Sequence, residues 1–253
     1  MEAKRTASRG RTLGSRIVAG LLGVLAFVPS VLFVVGSYTD ETEDLHLVHN
    51  LAGLAGFGLV FGAAGLLLAA RPADSAAAFR ALAIGAVVAL AGGLMAGDLV
   101  SGLWFVPAVF ALVLYALHPD RAEVTRLRST SAPMLVLGLV AFVPAVVFAL
   151  HQAELQRNAN PTLDPHAEFH HYSGMAVLGL LLAGGALATA TGGGGKRLIG
   201  WAAGLGAVLY SAASLAYADH VGAVDTPWAL ATLAWGVAVV ALTELERRKE
   251  QGR

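Results

Sequence analysis

Eight apolar stretches, most close to twenty residues long, alternate with short polar connections along this chain. They cover residues 17–37, 47–70, 79–98, 99–117, 132–152, 170–190, 198–217 and 228–245. About 20 helical residues cross the roughly 30 Å hydrocarbon core of a bilayer. The stretches are continuously apolar, which predicts helices; the strands of a membrane barrel would alternate. Only 13% of the 253 residues are charged, against about 25% in soluble domains, so the chain lacks the polar surface to cover itself in water. The expected fold is an all-α, polytopic integral membrane protein with eight transmembrane helices.

The connections alternate in charge. Lys4, Arg5, Arg9, Arg11 and Arg16 precede the first stretch; Arg71 and Arg80, Arg121, Arg126 and Arg128, Lys196 and Arg197, and Arg247, Arg248, Lys249 and Arg253 follow every second one. The other connections hold one basic residue, Arg157. Basic residues concentrate on the cytoplasmic side, so both termini are expected in the cytoplasm of a cell-membrane protein. The first stretch, longer than a signal-peptide core, reads as a retained span. On the opposite face fall ten of the 17 acids, namely Asp40, Glu41, Glu43, Asp44, Asp98, Glu154, Asp164, Glu168, Asp219 and Asp225. Seven of the 8 histidines fall there too; the exception is His118.

The chain also repeats itself. Residues 22–33, LGVLAFVPSVLF, match residues 137–148, LGLVAFVPAVVF, at eight of 12 positions. The offset of 115 becomes 121 after the first external loop and then holds, pairing His49 with His170, Gly58 with Gly179, and Asp98 with Asp219. This predicts a duplicated four-plus-four helix bundle: a cytoplasmic basic tail (1–16), a first four-helix repeat (17–117), a cytoplasmic linker (118–131), a second repeat (132–245) and a cytoplasmic tail (246–253). Halves with an even number of spans insert the same way round, and binding sites tend to lie where such repeats meet. Small-residue steps at Gly58/Gly62 and Gly200/Gly204 predict close helix packing, and Pro29 and Pro144 predict equivalent kinks.

The absence of cysteine excludes disulfides, thiolate metal sites and cysteine nucleophiles. No phosphate-binding loop is present, because TGGGGKR at 191–197 lacks the required spacing. No nucleic-acid partner is expected; the lipid bilayer and other membrane subunits are.

Chemistry is expected at the external histidines. The second stretch begins D-L-H-L-V-H, with Asp44, His46 and His49, and the sixth begins D-P-H-A-E-F-H-H, with Asp164, His166, Glu168, His170 and His171. Helical register puts His46 and His49 on one face, and likewise His166 and His170. Imidazoles so spaced can share a metal ion. The expected metal ligands come from His46, His49, His166, His170, His171, Asp98, Asp219 and His220, and a haem would be bound by His49 and His170. The starts of spans two and six, D-L-H-L-V-H-N and E-F-H-H-Y, are similar to the haem A synthase family, whose histidines near the external ends of even-numbered spans serve haem. Spans four and eight of this chain lack that histidine.

The function expected is therefore an integral membrane protein binding haem or a divalent transition metal, in a redox or haem-handling role. The alternatives are a metal-dependent intramembrane hydrolase, a small-solute or cation transporter, and a non-catalytic membrane subunit. Against a transporter, no charge sits in mid-span and no span reads as unwound.

Overall fold

A computed structural model describes residues 2–39, 46–127 and 131–252, with side chains from Gly10 onward in the first segment. The acids Asp40, Glu41, Glu43 and Asp44, together with Arg128 and Arg253, lie outside the described residues, as do the side chains of Lys4, Arg5 and Arg9.

Among the described residues every regular element is a helix. Seven helices are long and apolar enough to cross a membrane, which makes the chain a multi-pass helical membrane protein. They are α1 (Glu2–Thr39), α2 (Leu47–Ala70), α3 (Ala76–Ala96), α6 (Ala132–Asn158), α8 (His171–Ala190), α9 (Lys196–Ala216) and α10 (Thr226–Gln251). Shorter helices are α4 (Val106–Leu117), α5 (Arg121–Thr125) and α7 (Pro165–Glu168).

The stretch expected to span at 99–117 differs from this expectation. Its helix, α4, has 12 residues, or about 18 Å of rise. Gly97 at φ +74° caps α3, and Leu103 at φ +56° turns the chain again. Residues 99–105 form turns as a result. Helix α1 runs from Glu2 through the basic residues and on into the first apolar stretch without a break. Not every long helix is regular, because Leu54–Phe61 within α2 is a π-helix, a rare local widening that often marks functional positions.

Helix α8 sits at the centre, with 83% of its apolar window buried. Helices α2, α3, α6 and α9 pack against it; α2, α3 and α9 are 61% buried over their most apolar stretches, and α1, α6 and α10, at 17–22%, turn most of theirs outward. The outward Val24, Val140, Val143 and Val237 give this periphery the surface a lipid environment favours.

Small residues set the crossings. A Cβ at Gly65 would lie 2.8 Å from Ala19 O, which brings α1 and α2 together. One at Gly206 would lie 2.5 Å from Ala55 O (α9 on α2), and one at Gly204 2.7 Å from Gly236 O (α9 on α10). Gly92 meets Val177 and Gly184 meets Ile84, which seats α3 on α8. Where hydrocarbon surrounds the helices, such close approach is a main source of association energy.

One end of the bundle is basic and tightly tied. The buried Arg80 guanidinium donates from Nη1 to Arg126 O at 2.7 Å and from Nη2 to Gly192 O at 2.6 Å. Arg197 pairs with Glu244 at 2.6 Å, and Lys196 with Glu250. Exposed ion pairs are worth about 0–1 kcal/mol, whereas hydrogen bonds from a charged group are worth about 1.5–3 kcal/mol. Arg80 is therefore the stronger clasp at this end. At the far end, Tyr38 and Tyr217 meet through their hydroxyls at 3.3 Å.

Candidate functional site

Four imidazoles meet at the end opposite the basic cluster. His46 directly precedes α2, and His49 stands in its first turn. His166 belongs to α7 and His171 begins α8. Ring centroids lie 4.5 Å apart for His46–His171, 4.8 Å for His46–His166, 4.9 Å for His49–His166, 5.0 Å for His49–His171 and 6.0 Å for His166–His171. His46 Nδ1 and His171 Nδ1 share a hydrogen bond at 2.9 Å.

Local structure explains why these four converge. His46 and His49 are three residues apart, on one helical face. Asp164 caps α7 by accepting the His166 N–H at 2.9 Å, and Pro165 occupies the first helical position, where its missing N–H costs nothing. The same carboxylate lies 3.2 Å from His166 Nδ1 and accepts the Tyr172 hydroxyl at 3.1 Å. Burial raises the Asp164 pKa, but the bonds from the His166 N–H, Tyr172 and the His166 ring outweigh it and hold the carboxyl below its usual range.

The expected pairing of His166 with His170 does not form. His170 adopts φ +58°, a left-handed conformation that ends α7 and lets a new helix start at His171. The break rotates the register, so His171, not His170, joins His166. His170 instead places Nδ1 3.0 Å from Asp98 Oδ2, the oxygen to which the Ser173 hydroxyl also donates. Asp98 Oδ1 is buried without a protein partner.

His49 is as enclosed as His46, at 5% exposed, and neither of its ring nitrogens has a hydrogen-bond partner. Gly222, at φ +91°, packs on its ring, where a Cβ would come within 2.7 Å of His49 Nε2. The Tyr210 hydroxyl holds that turn by donating to Gly222 O at 2.9 Å. Only glycine meets both the conformation and the clearance.

The other expected residues lie apart from these rings. Asp219 is exposed, and His220 is half-buried with its ring 5.3 Å from Tyr217. His151 is exposed on α6. His118 is buried at the basic end, where its Nδ1 accepts the Asp120 N–H at 3.1 Å. Sequence reasoning missed Tyr172, Ser173 and Gly222. It also missed Asp164 as the carboxylate behind His166, although an Asp-Pro step before a short helical run is a recognisable cap.

Among the described residues, no group of three or more His, Asp or Glu side chains is placed so that it could hold a metal ion as it stands. The His46–His171 hydrogen bond fills the space between those two rings. No protein-family model, curated protein or solved structure matches this chain, so the likeness at the starts of spans two and six carries no family with it.

Proposed function

We propose that this is a membrane protein that binds a transition-metal ion through His46, His49, His166 and His171 at its external face. The observation that carries this reading is His49, a buried imidazole with two unpartnered nitrogens surrounded by three further imidazoles. Each unsatisfied buried polar group costs about 1–3 kcal/mol, a cost that coordination would remove at the one ring nitrogen that binds the ion. A tetrahedral ion with Zn–N near 2.0–2.1 Å sets ligand nitrogens roughly 3.3 Å apart and imidazole centroids roughly 5 Å apart. The five ring separations, 4.5–6.0 Å, bracket that value, and 2.9 Å between His46 Nδ1 and His171 Nδ1 needs only a small opening.

Asp164 supports the same reading. A carboxylate on the far nitrogen of a ligand histidine fixes its tautomer and raises its basicity; Asp164 on His166 Nδ1 would present Nε2 to the ion. An all-imidazole set suits zinc, copper, iron or nickel. Four protein ligands complete a tetrahedron and leave no open position for a water nucleophile, which weighs against the hydrolase. Haem on His49 is disfavoured by Gly222 against one side of its ring and imidazoles on the others.

We further propose eight crossings in two four-span halves, with both termini cytoplasmic. Support for the short fourth crossing comes from its contacts. Trp104 packs on Gly93 near one end of α3, and Tyr115 and His118 lie 6.1 and 6.0 Å from Phe79 near the other. The chain thus returns along the whole of α3. Support for the repeat comes from Gly85, whose Cβ would meet Phe61 and Leu181, and Gly206, its partner at offset 121, whose Cβ would meet Leu182 and Ala55. Leu182 is the repeat partner of Phe61.

Replacement with cobalt(II) tests the metal reading. Tetrahedral imidazole coordination should give intense visible bands that vanish in His49→Ala. Weak octahedral bands, or bands unaffected by the substitution, would refute it.

A further inference from the structure

We propose that residues 217–225 form a strap that must lift off His49 before a metal ion binds there; this rests on the metal reading above and adds the route of entry. The strap joins α9 to α10. Gly222, inside it, lies on the His49 ring. A Cβ at Gly222 would stand 2.7 Å from His49 Cε1 and Nε2 and 3.1 Å from Nδ1, so the turn covers the side of the ring that carries both nitrogens. A coordinated ion stands about 2.0–2.1 Å from an imidazole nitrogen, and a backbone this close obstructs its approach. The ring's other neighbours include His166, His171 and Tyr172, with centroids at 4.9, 5.0 and 6.2 Å. These belong to helices α7 and α8, whereas the strap consists of turns and irregular backbone. It can therefore move without unwinding a helix.

The strap is fastened to α9 by two side chains one turn apart, Tyr210 and Ser214, both buried. The Tyr210 hydroxyl donates to Gly222 O at 2.9 Å. Ser214 Oγ accepts the Val224 N–H at 3.4 Å, a long contact for a hydrogen bond. Within the strap, the His220 N–H donates to Tyr217 O at 3.0 Å and the Ala223 N–H to His220 O at 3.2 Å, so the turn carries its own shape. Ala218, Asp219 and Val221 are exposed, and Ala223 and Val224 are half-buried against the core. Segments with few buried contacts and exposed backbone open locally while the rest of the fold stays closed. Lifting this one breaks the two fastenings and the packing of Ala223 and Val224, and it leaves α9 and α10 intact.

The test uses the metal-free full chain in phosphatidylcholine nanodiscs and diethylpyrocarbonate, which acylates neutral imidazoles; mass spectrometry locates the modified histidines. Tyr210→Phe removes one fastening. Loss of a neutral hydrogen bond raises an open population about fivefold, and modification of His49 should speed up by that factor. His118, buried at the other end, should keep its rate. A Ser214→Cys/Val224→Cys disulfide should slow modification of His49 several-fold, and reduction should restore it. Cobalt(II) uptake should follow the same order, with the same amount bound at saturation in Tyr210→Phe. If the disulfide leaves the His49 rate unchanged, or the rise in Tyr210→Phe is matched at His118, the strap is refuted. Cobalt taken up at one rate by all three proteins would refute the strap and keep the metal centre. Strap-dependent modification without bound cobalt would leave the strap standing and refute the metal centre.

Discussion

His170 Nδ1 lies 3.0 Å from Asp98 Oδ2, which ties the turn that starts α8 to the end of α3. His170 adopts its left-handed conformation at that contact. The conformation costs a non-glycine residue roughly 1–2 kcal/mol, and it is what turns His171 toward His46 and His166. His170 therefore positions the cluster and is not one of its four rings.

A pair of substitutions separates these roles. His170→Ala keeps the conformational cost and loses the Asp98 bond, so it should lower the thermal midpoint and weaken metal binding. His170→Gly also loses the bond but adopts φ +58° freely, so it should recover about 1 kcal/mol of stability and bind metal better than the alanine variant. If both variants lose metal equally and completely, His170 is a ligand and the positioning role is wrong.

Asp164 sets an acid limit. Its folded pKa is held below the usual carboxylate range, so the stability it contributes is fully present above the unfolded value, about 3.9. That stability is lost as pH falls through the depressed folded value. Asp164→Asn should flatten the acid limb below about pH 4 and should weaken metal binding, because the carboxylate behind His166 is gone. Detergent unfolding curves between pH 2 and 7 would measure this; identical acid limbs in the two proteins would contradict it.

Much of this architecture is legible in the amino-acid order because it depends on local chemistry. Apolar length marks the long helices, basic residues mark one end of the bundle, and the three-residue spacing places His46 beside His49. What was not legible depends on tertiary contact. Nothing near His170 announces a left-handed histidine, since Asp98, which holds it, is 72 residues away. Gly222 looks like an ordinary turn glycine until its backbone is found against His49. The turns after Gly97 shorten the fourth stretch although its composition is as apolar as any other.

Packing at the repeat equivalents predicts unequal costs. A Cβ at Gly206 would press on the Ala55 carbonyl at 2.5 Å, whereas at Gly85 its nearest contacts are the side chains of Phe61 and Leu181 at 2.6–2.8 Å. Backbone yields less than a side chain, and overpacking costs about 1–3 kcal/mol. Gly206→Ala should therefore lower the thermal midpoint more than Gly85→Ala; the reverse order would contradict this account of the α2–α9 contact.

Topology can be read directly because the chain contains no cysteine. A single cysteine at Asn158 should react with an impermeant maleimide on intact cells. One at Ala122, exposed on α5 beside the basic cluster, should react only after permeabilisation. The opposite pattern would reverse the orientation and put the histidines inside.

The central claim is tested by the metal content of the purified protein. The account predicts about one transition-metal ion per chain, its loss in His49→Ala and His171→Ala, and its retention in His118→Ala and His151→Ala, whose side chains lie outside the cluster. Metal absent from the metal-supplemented wild type, or present equally in all four variants, would contradict it.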